Sequence, residues 1–244
     1  MNLLLVETSE IDAASCVRLH GSRARHLLDV LKVENGQTVR AGLINGGVGH
    51  GRVVALDHQS VTLQCEFGET PPRPPVDLLL AVPRPKVLRR LWAQLAALGV
   101  GRIILTNAER VERNYFDTHV LEPRTYRPLL IEGLQQARDT RVPEVSVHRQ
   151  FRKLVEDELD ALSPATRRIV ADPTGTATAA ETLHAGPPAR VLLAVGPEGG
   201  WNTFELELLH AYRFSTIGLG PRTLRGDTAC LALLAIVHEV IRRP

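Results

Sequence analysis

Two apolar runs in the last third of the chain, Val191 to Val195 and Ser215 to Leu219, each stop at a glycine-rich turn and give way to a segment with helical spacing. The first turn reads Gly196-Pro197-Glu198-Gly199-Gly200; the second reads Gly220-Pro221-Arg222-Thr223-Leu224-Arg225-Gly226-Asp227-Thr228-Ala229. A buried strand, a tight turn and a helix, used twice, constrain this region to an α/β fold with a mostly parallel sheet, because parallel neighbours need a crossover connection. Both turns then emerge at the carboxyl edge of one sheet, where open α/β sheets hold their ligands.

The alternation extends upstream. Strands are expected at Val76 to Val82, Arg102 to Thr106, Glu144 to His148 and Arg168 to Ala171. Helices are expected at Lys86 to Leu98, Leu121 to Arg138, Phe151 to Leu162, Thr203 to Tyr212 and Asp227 to Arg242. The run Pro71-Pro72-Arg73-Pro74-Pro75 interrupts this pattern, since consecutive prolines favour stiff extended backbone. Before it, short runs at Asn2 to Glu7, Gln37 to Ile44, Gly51 to Leu56 and Ser60 to Phe67 are separated by Asn-Gly and Gly-Gly turns, with one helical piece near Arg23 to Val33. The expected organisation is a small β-barrel-like domain over 1–70, a linker over 71–76 and an α/β domain over 77–244.

With 244 residues and 44% apolar content, the chain can bury a substantial core. Its apolar runs are too short to span a bilayer, and Met1 to Glu7 lacks the basic segment of a secretory signal, so a soluble cytoplasmic protein is expected. Cys16, Cys65 and Cys230 are scattered, and the nine histidines form no H-E-x-x-H pair, so neither a disulfide framework nor a metal is expected. Net charge is only +2, but residues 71–150 carry 13 Lys and Arg against 8 Asp and Glu. Such a local excess attracts polyanions or simply forms a solvated face.

The first glycine turn is neither a phosphate-binding Gly-Lys-Ser/Thr loop nor a G-x-G-x-x-G dinucleotide fingerprint. Alone, it serves equally as a ligand loop or as a tight strand-to-helix connector. The second turn sets Arg222 and Arg225 beside a helix start whose first turn holds Asp227 and Thr228. Asp227 can cap that helix, or join Arg225 in a site.

Taken together, G-P-E-G-G with Glu205 five residues on, and the run from Leu219 to Ala229 matching L-G-x-R-x-L-R-x-E-T-A, resemble the bacterial 16S ribosomal RNA uracil-N3 methyltransferases of the SPOUT, or α/β-knot, superfamily. Leu98-Gly99-Val100, Ala108-Glu109-Arg110, Gln136 with Arg141-Val142-Pro143, and His26 to Leu31 are similar to further family elements. Three positions depart from the pattern: Asp227 replaces Glu, Gly226 precedes it, and Asp139 stands where Arg is usual.

The resemblance implies a PUA-like barrel followed by a domain whose C-terminal chain threads a loop to form a trefoil knot. It implies S-adenosylmethionine bound across three loops. The residues so assigned are Ala171, Asp172 and Pro173; Val195, Gly196, Pro197, Glu198, Gly199 and Gly200; and Leu219, Gly220, Leu224, Thr228 and Ala229. The catalytic residues implied are Arg225, Asp227 and Arg138, and the RNA contacts are Arg23, Arg84, Lys86, Arg110, Arg141 and Arg222. The implied partners are 16S rRNA or the small ribosomal subunit, and a second copy packed through the knot. Action on another rRNA or tRNA site, or a non-catalytic role in ribosome assembly, stays open at this level.

Overall fold

The structure is a computed structural model that describes residues 2–183 and 190–242; the outer limits of the two expected domains, at 1 and 243–244, lie outside the described residues. By compactness the chain divides into two units, Met1–Arg73 with Ile131–Val142, and Pro74–Leu130 with Pro143–Pro244.

The first unit is built on a mixed sheet of β1 (Leu4–Val6), β2 (Cys16–His20), β3 (Thr38–Leu43), β4 (Val48–Leu56) and β5 (Ser60–Phe67), in the order β1-β3-β4-β5-β2. The pair β1–β3 is parallel and the others antiparallel. Strand β2 was not expected, although Val17 and Leu19 point inward while Arg18 and His20 face solvent, the period of two that a half-buried strand requires. Leu4 and Val6 from one edge share a single core with Val17 and Leu19 from the other, so the open sheet is curved into a half-barrel. Helix α1 (Gly21–Arg25), continued by a more widely wound turn over 26–30, adds Ala24 and Leu27 to that core.

The segment 131–142 contains the Asp139 departure. Arg138 takes φ +60° just after the last helical residue, a left-handed stop that usually falls to glycine. The Asp139 carboxylate then accepts the backbone N–H groups of Thr140 and Arg141 at 2.6 and 3.0 Å, fixing the turn. Thr140 donates its hydroxyl to the Gly46 carbonyl at 2.6 Å, and Arg141 reaches the Asn45 carbonyl at 3.3 Å.

The second unit holds a six-stranded, wholly parallel sheet of β6 (Val76–Ala81), β7 (Val100–Thr106), β8 (Glu144–His148), β9 (Arg167–Ala171), β10 (Val191–Val195) and β11 (Phe214–Ile217), ordered β11-β9-β10-β6-β7-β8. Its helices are α2 (Pro85–Ala97), α3 (Pro123–Ala137, which runs on into the segment grouped with the first unit), α4 (Phe151–Lys153), α5 (Leu159–Leu162), α6 (Ala179–Leu183), α7 (Thr203–Ala211) and α8 (Gly226–Arg242). The central strands β6 and β10 are buried throughout, as the continuous apolar runs foretell. Asp77 interrupts the β6 run while fully buried, held by Arg190 and by the Ser163 hydroxyl, both at 2.7 Å.

Strand β10 lies on one side of β9 and β11 on the other, so the chain crosses β9 between them. Just beyond, two backbone stretches touch. The Asp172 N–H donates to the Ile217 carbonyl at 3.0 Å, and the Gly218 N–H to the Ala177 carbonyl at 2.9 Å. A Cβ on Gly218 would lie 2.0 Å from the Gly175 carbonyl oxygen, and one on Gly175 would lie 2.6 Å from the Ile217 carbonyl carbon. Only glycine at both positions allows this approach. After it, α8 returns to pack against β10 and β6.

Candidate functional site

Three strand ends and one helix start converge on a single pocket at the carboxyl edge of the second unit's sheet. Ala171, Asp172 and Pro173 follow β9; Val195, Gly196, Pro197, Glu198 and Gly200 follow β10; Leu219, Gly220, Arg222, Thr223 and Leu224 follow β11; Gly226, Ala229 and Leu233 come from α8. The structure therefore brings together twelve of the fourteen residues expected around a cofactor. Gly199 and Thr228 do not line the pocket: the Gly199 carbonyl accepts the Arg110 guanidinium, and the Thr228 N–H is turned to Asp227 at 2.9 Å. Ile217, Thr223, Gly226 and Leu233 line it without having been singled out, and Arg222, expected at RNA, is in its wall.

The loop after β10 owes its shape to its glycines and to a brace from the loop after β7. Gly200 adopts φ +75° and its N–H closes a turn onto the Pro197 carbonyl at 2.8 Å. A Cβ on Gly196 would stand 3.0 Å from the Trp201 ring nitrogen, so the buried indole lies directly against the turn; it also packs on Phe151 at a centroid distance of 5.4 Å. Glu205 explains the acidic residue downstream of G-P-E-G-G. Its buried carboxylate accepts the Asn202 N–H at 2.8 Å while Asn202 caps the Glu205 N–H, the reciprocal box that starts α7. The other oxygen accepts the Glu109 N–H at 2.7 Å, fastening the Ala108-Glu109-Arg110 loop to the same helix start.

Of the charged groups expected here, Asp172, Glu198 and Arg222 line the pocket, while Arg225 and Asp227 flank its lining residue Gly226 without lining it. Glu198 is paired with Arg84 at 3.2 Å, and Asp227 with Arg90 at 3.2 Å. Asp227 thus takes its cation from α2 and not from Arg225, its expected partner. Among the described residues Arg222 and Arg225 carry no ion pair, and both are exposed. Lys86 is exposed in the first turn of α2. The pocket wall itself is apolar at Val195, Ile217, Leu219, Leu224 and Leu233. Cys230 lies one turn into α8, where burial, with the Asp227 charge adding to it, pushes its thiol up to about 12, so it is no nucleophile near neutrality.

A comparison with known proteins decides the family. Residues 70–238 match the model of an RNA methyltransferase domain. The chain belongs to the RNA methyltransferase family. Family members among curated proteins include the ribosomal RNA small subunit methyltransferase E of Treponema pallidum (strain Nichols), 31% identical over 97% of this chain and 90% of its own length. That of Bacillus subtilis (strain 168) is 24% identical over 94% and 93%. A solved probable rRNA-methyltransferase from Porphyromonas gingivalis shares the fold at a TM-score of 0.77, with 21% identity and 98% of each chain covered. A ribosomal RNA small subunit methyltransferase E from Neisseria gonorrhoeae, solved bound to S-adenosyl methionine, does so at 0.74, with 20% identity and again 98% of each chain covered.

The remaining expected residues fall in different places. Arg84, Lys86, Arg110, Arg222, Arg225 and Asp227 belong to the second unit. Arg23, Arg138 and Arg141 belong to the first, where Arg23 is held half-buried by the Glu10 carboxylate and Arg141 is turned to Asn45. Among the described residues no cluster of His, Cys, Asp and Glu has metal-binding geometry, and no helix is long and apolar enough to cross a membrane.

Proposed function

We propose that this chain transfers a methyl group from S-adenosylmethionine to N3 of a uridine in small-subunit ribosomal RNA. The observation that carries the reading is the convergence of the three glycine-marked loops on one pocket, in a chain that belongs to the RNA methyltransferase family. The residues present fit the cofactor. Apolar walls suit an adenine ring, glycine turns expose backbone groups to it, and the carboxylate of Asp172 suits a cation. Gly220, at φ +89° with no atom within 4 Å of the place a Cβ would occupy, leaves open space at the lip.

When bound, S-adenosylmethionine supplies an electrophilic methyl group on a sulfonium sulfur and leaves as the thioether. Uridine N3 carries a proton, which leaves to solvent water before or as the N–C bond forms, and the negative charge this leaves on the ring is shared by the flanking carbonyl oxygens. Arg225, exposed between the pocket-lining Leu224 and Gly226 and carrying no ion pair among the described residues, stabilises that charge. Arg84 and Arg90 hold Glu198 and Asp227 in place, so these carboxylates position the two loops. The exposed guanidinium groups of Arg110 and Arg222, with Lys86, supply phosphate contacts.

The threading of α8 past the loop after β9 is read here as the family's trefoil knot, supported by the Gly175–Gly218 crossing. The half-barrel is read as the PUA-like RNA-holding domain, working in the cytoplasm. Helix α8 buries Leu233, Leu234, Val237 and Val240 in the core and leaves Ile236 exposed, a residue suited to contact with a second copy. Asp139, which stands where the family pattern has Arg, is accounted for by its turn. The test is labelled methyl transfer to small subunits from cells lacking this protein. Incorporation is expected; a protein that binds S-adenosylmethionine but labels only tRNA or large-subunit RNA contradicts the substrate.

A further inference from the structure

A second cavity, of about 290 Å³, opens at the same sheet edge beyond the ends of β7 and β8. That is many times the space one water needs. Asn107, Glu109, Arg113, Phe151, Arg152 and Phe204 are in its wall. Three features do not serve the fold. The Asn107 side-chain oxygen is buried with no hydrogen-bond partner, which leaves an acceptor waiting for a donor. Phe204, in the first turn of α7, is 52% exposed at the rim, in a chain with only 4% aromatic residues. Arg113 is exposed and, among the described residues, carries no ion pair.

The acidic groups here are already defined. Glu205 is saturated by two backbone N–H groups, and Arg152 is drawn to Glu156 at 2.8 Å. Glu109 and Arg113 both line the cavity, so it is no dedicated anion pocket, and its unmet need is for a donor beside an aromatic face. We infer that this cavity takes an unpaired nucleobase bearing an exocyclic amino group, adenine, cytosine or guanine, from the RNA strand that presents the target uridine. The base stacks on Phe204 and donates to the Asn107 oxygen, while Arg113 meets the backbone of the same nucleotide. Trp201 joins the two sites, packing on Phe151 of this cavity and against Gly196 of the cofactor pocket. The inference rests on the proposed RNA substrate and adds a second, sequence-reading position to it.

Phe204→Ala removes an exposed ring and leaves the core alone. Stacking on an aromatic is worth about 1–3 kcal/mol per base, so the KM for small subunits should rise roughly tenfold with kcat and S-adenosylmethionine affinity unchanged. In the full-length protein, AMP and CMP should shift the Asn107 amide resonances several-fold more strongly than UMP, and Asn107→Leu should erase that preference. A KM within twofold of wild type, or equal response to all three nucleotides, overturns the inference. So does a Phe204→Ala variant whose sedimentation changes instead, since the face would then be a protein contact. If the wild type labels no RNA at all, the proposed substrate fails, and the nucleotide titration still decides the cavity.

Discussion

The glycine crossing between the loops after β9 and β11 gives the sharpest link between sequence, pocket and activity. Gly218 has no positive φ, so Gly218→Ala brings no left-handed strain of its own. It brings a Cβ 2.0 Å from the Gly175 carbonyl oxygen, where contacts under 3.0 Å are essentially never tolerated. One strand of the crossing has to move by about 1 Å, the difference between those distances. Forcing a methyl group into a tight site costs about 1–3 kcal/mol. For a domain of this size that lowers Tm by roughly 2–10 °C. The same shift moves Leu219 and Gly220 relative to Asp172, and a 1 Å displacement of a positioned group costs about 100-fold in rate. The assays are thermal unfolding, calorimetric titration with S-adenosylmethionine, and single-turnover methyl transfer. Gly220→Ala is the control: its φ of +89° strains an alanine by about 1 kcal/mol, but no atom lies within 4 Å, so cofactor binding should fall far less. Equal cofactor affinity in Gly218→Ala and wild type would refute the claim that this crossing shapes the pocket.

Arg225→Ala should reduce methyl transfer by at least 100-fold while leaving S-adenosylmethionine affinity within about threefold, since removal of one charge-stabilising donor acts on the transition state; near-normal turnover contradicts the assignment. Asp77→Ala leaves Arg190 partly buried without its partner and should cost about 3–5 kcal/mol in chemical denaturation. An effect below about 1 kcal/mol would mean that the pair is solvated. Asp57 accepts the Ser60 hydroxyl and the backbone of Gln59 and Ser60, which lowers its carboxyl to about 2. Folding favours the ionised form, so this contribution is complete above the ordinary carboxylate range and fades as pH falls toward 2; carboxyl NMR should place the midpoint there, and a midpoint near 4 rejects the turn geometry. Cys230 should resist thiol reagents at pH 8 in the native protein and react on unfolding, as its raised pKa and burial require.

The loop chemistry was legible because it is local. Val191 to Val195 and the glycine turn after it occupy a stretch short enough for residue type alone to dictate strand and turn, and the structure places both where that reading does. The rim pairs were not legible. Arg84 meets Glu198 and Arg90 meets Asp227 only because parallel crossovers return distant segments to one edge, which is why Arg225 looked like the natural partner of Asp227. Asp77 likewise reads as an intruder in an apolar strand until Arg190 is folded against it. Gly175 and Gly218 resemble ordinary loop glycines in sequence; their need for close backbone approach appears only at the crossing. Strand β2 carried a readable alternation, Val17 and Leu19 inward, but five residues after a turn at Asp12 to Ser15 offered too short a period to stand out.

Nucleoside mapping of the methylated product tests the central claim most directly. Small subunits from cells lacking the protein are incubated with it and S-adenosylmethionine, digested, and analysed by mass spectrometry against untreated subunits. One new N3-methyluridine is expected in small-subunit RNA, absent when Arg225→Ala replaces the wild type. A methyl group on any other base or atom, or an Arg225→Ala product identical to wild type, would contradict that claim.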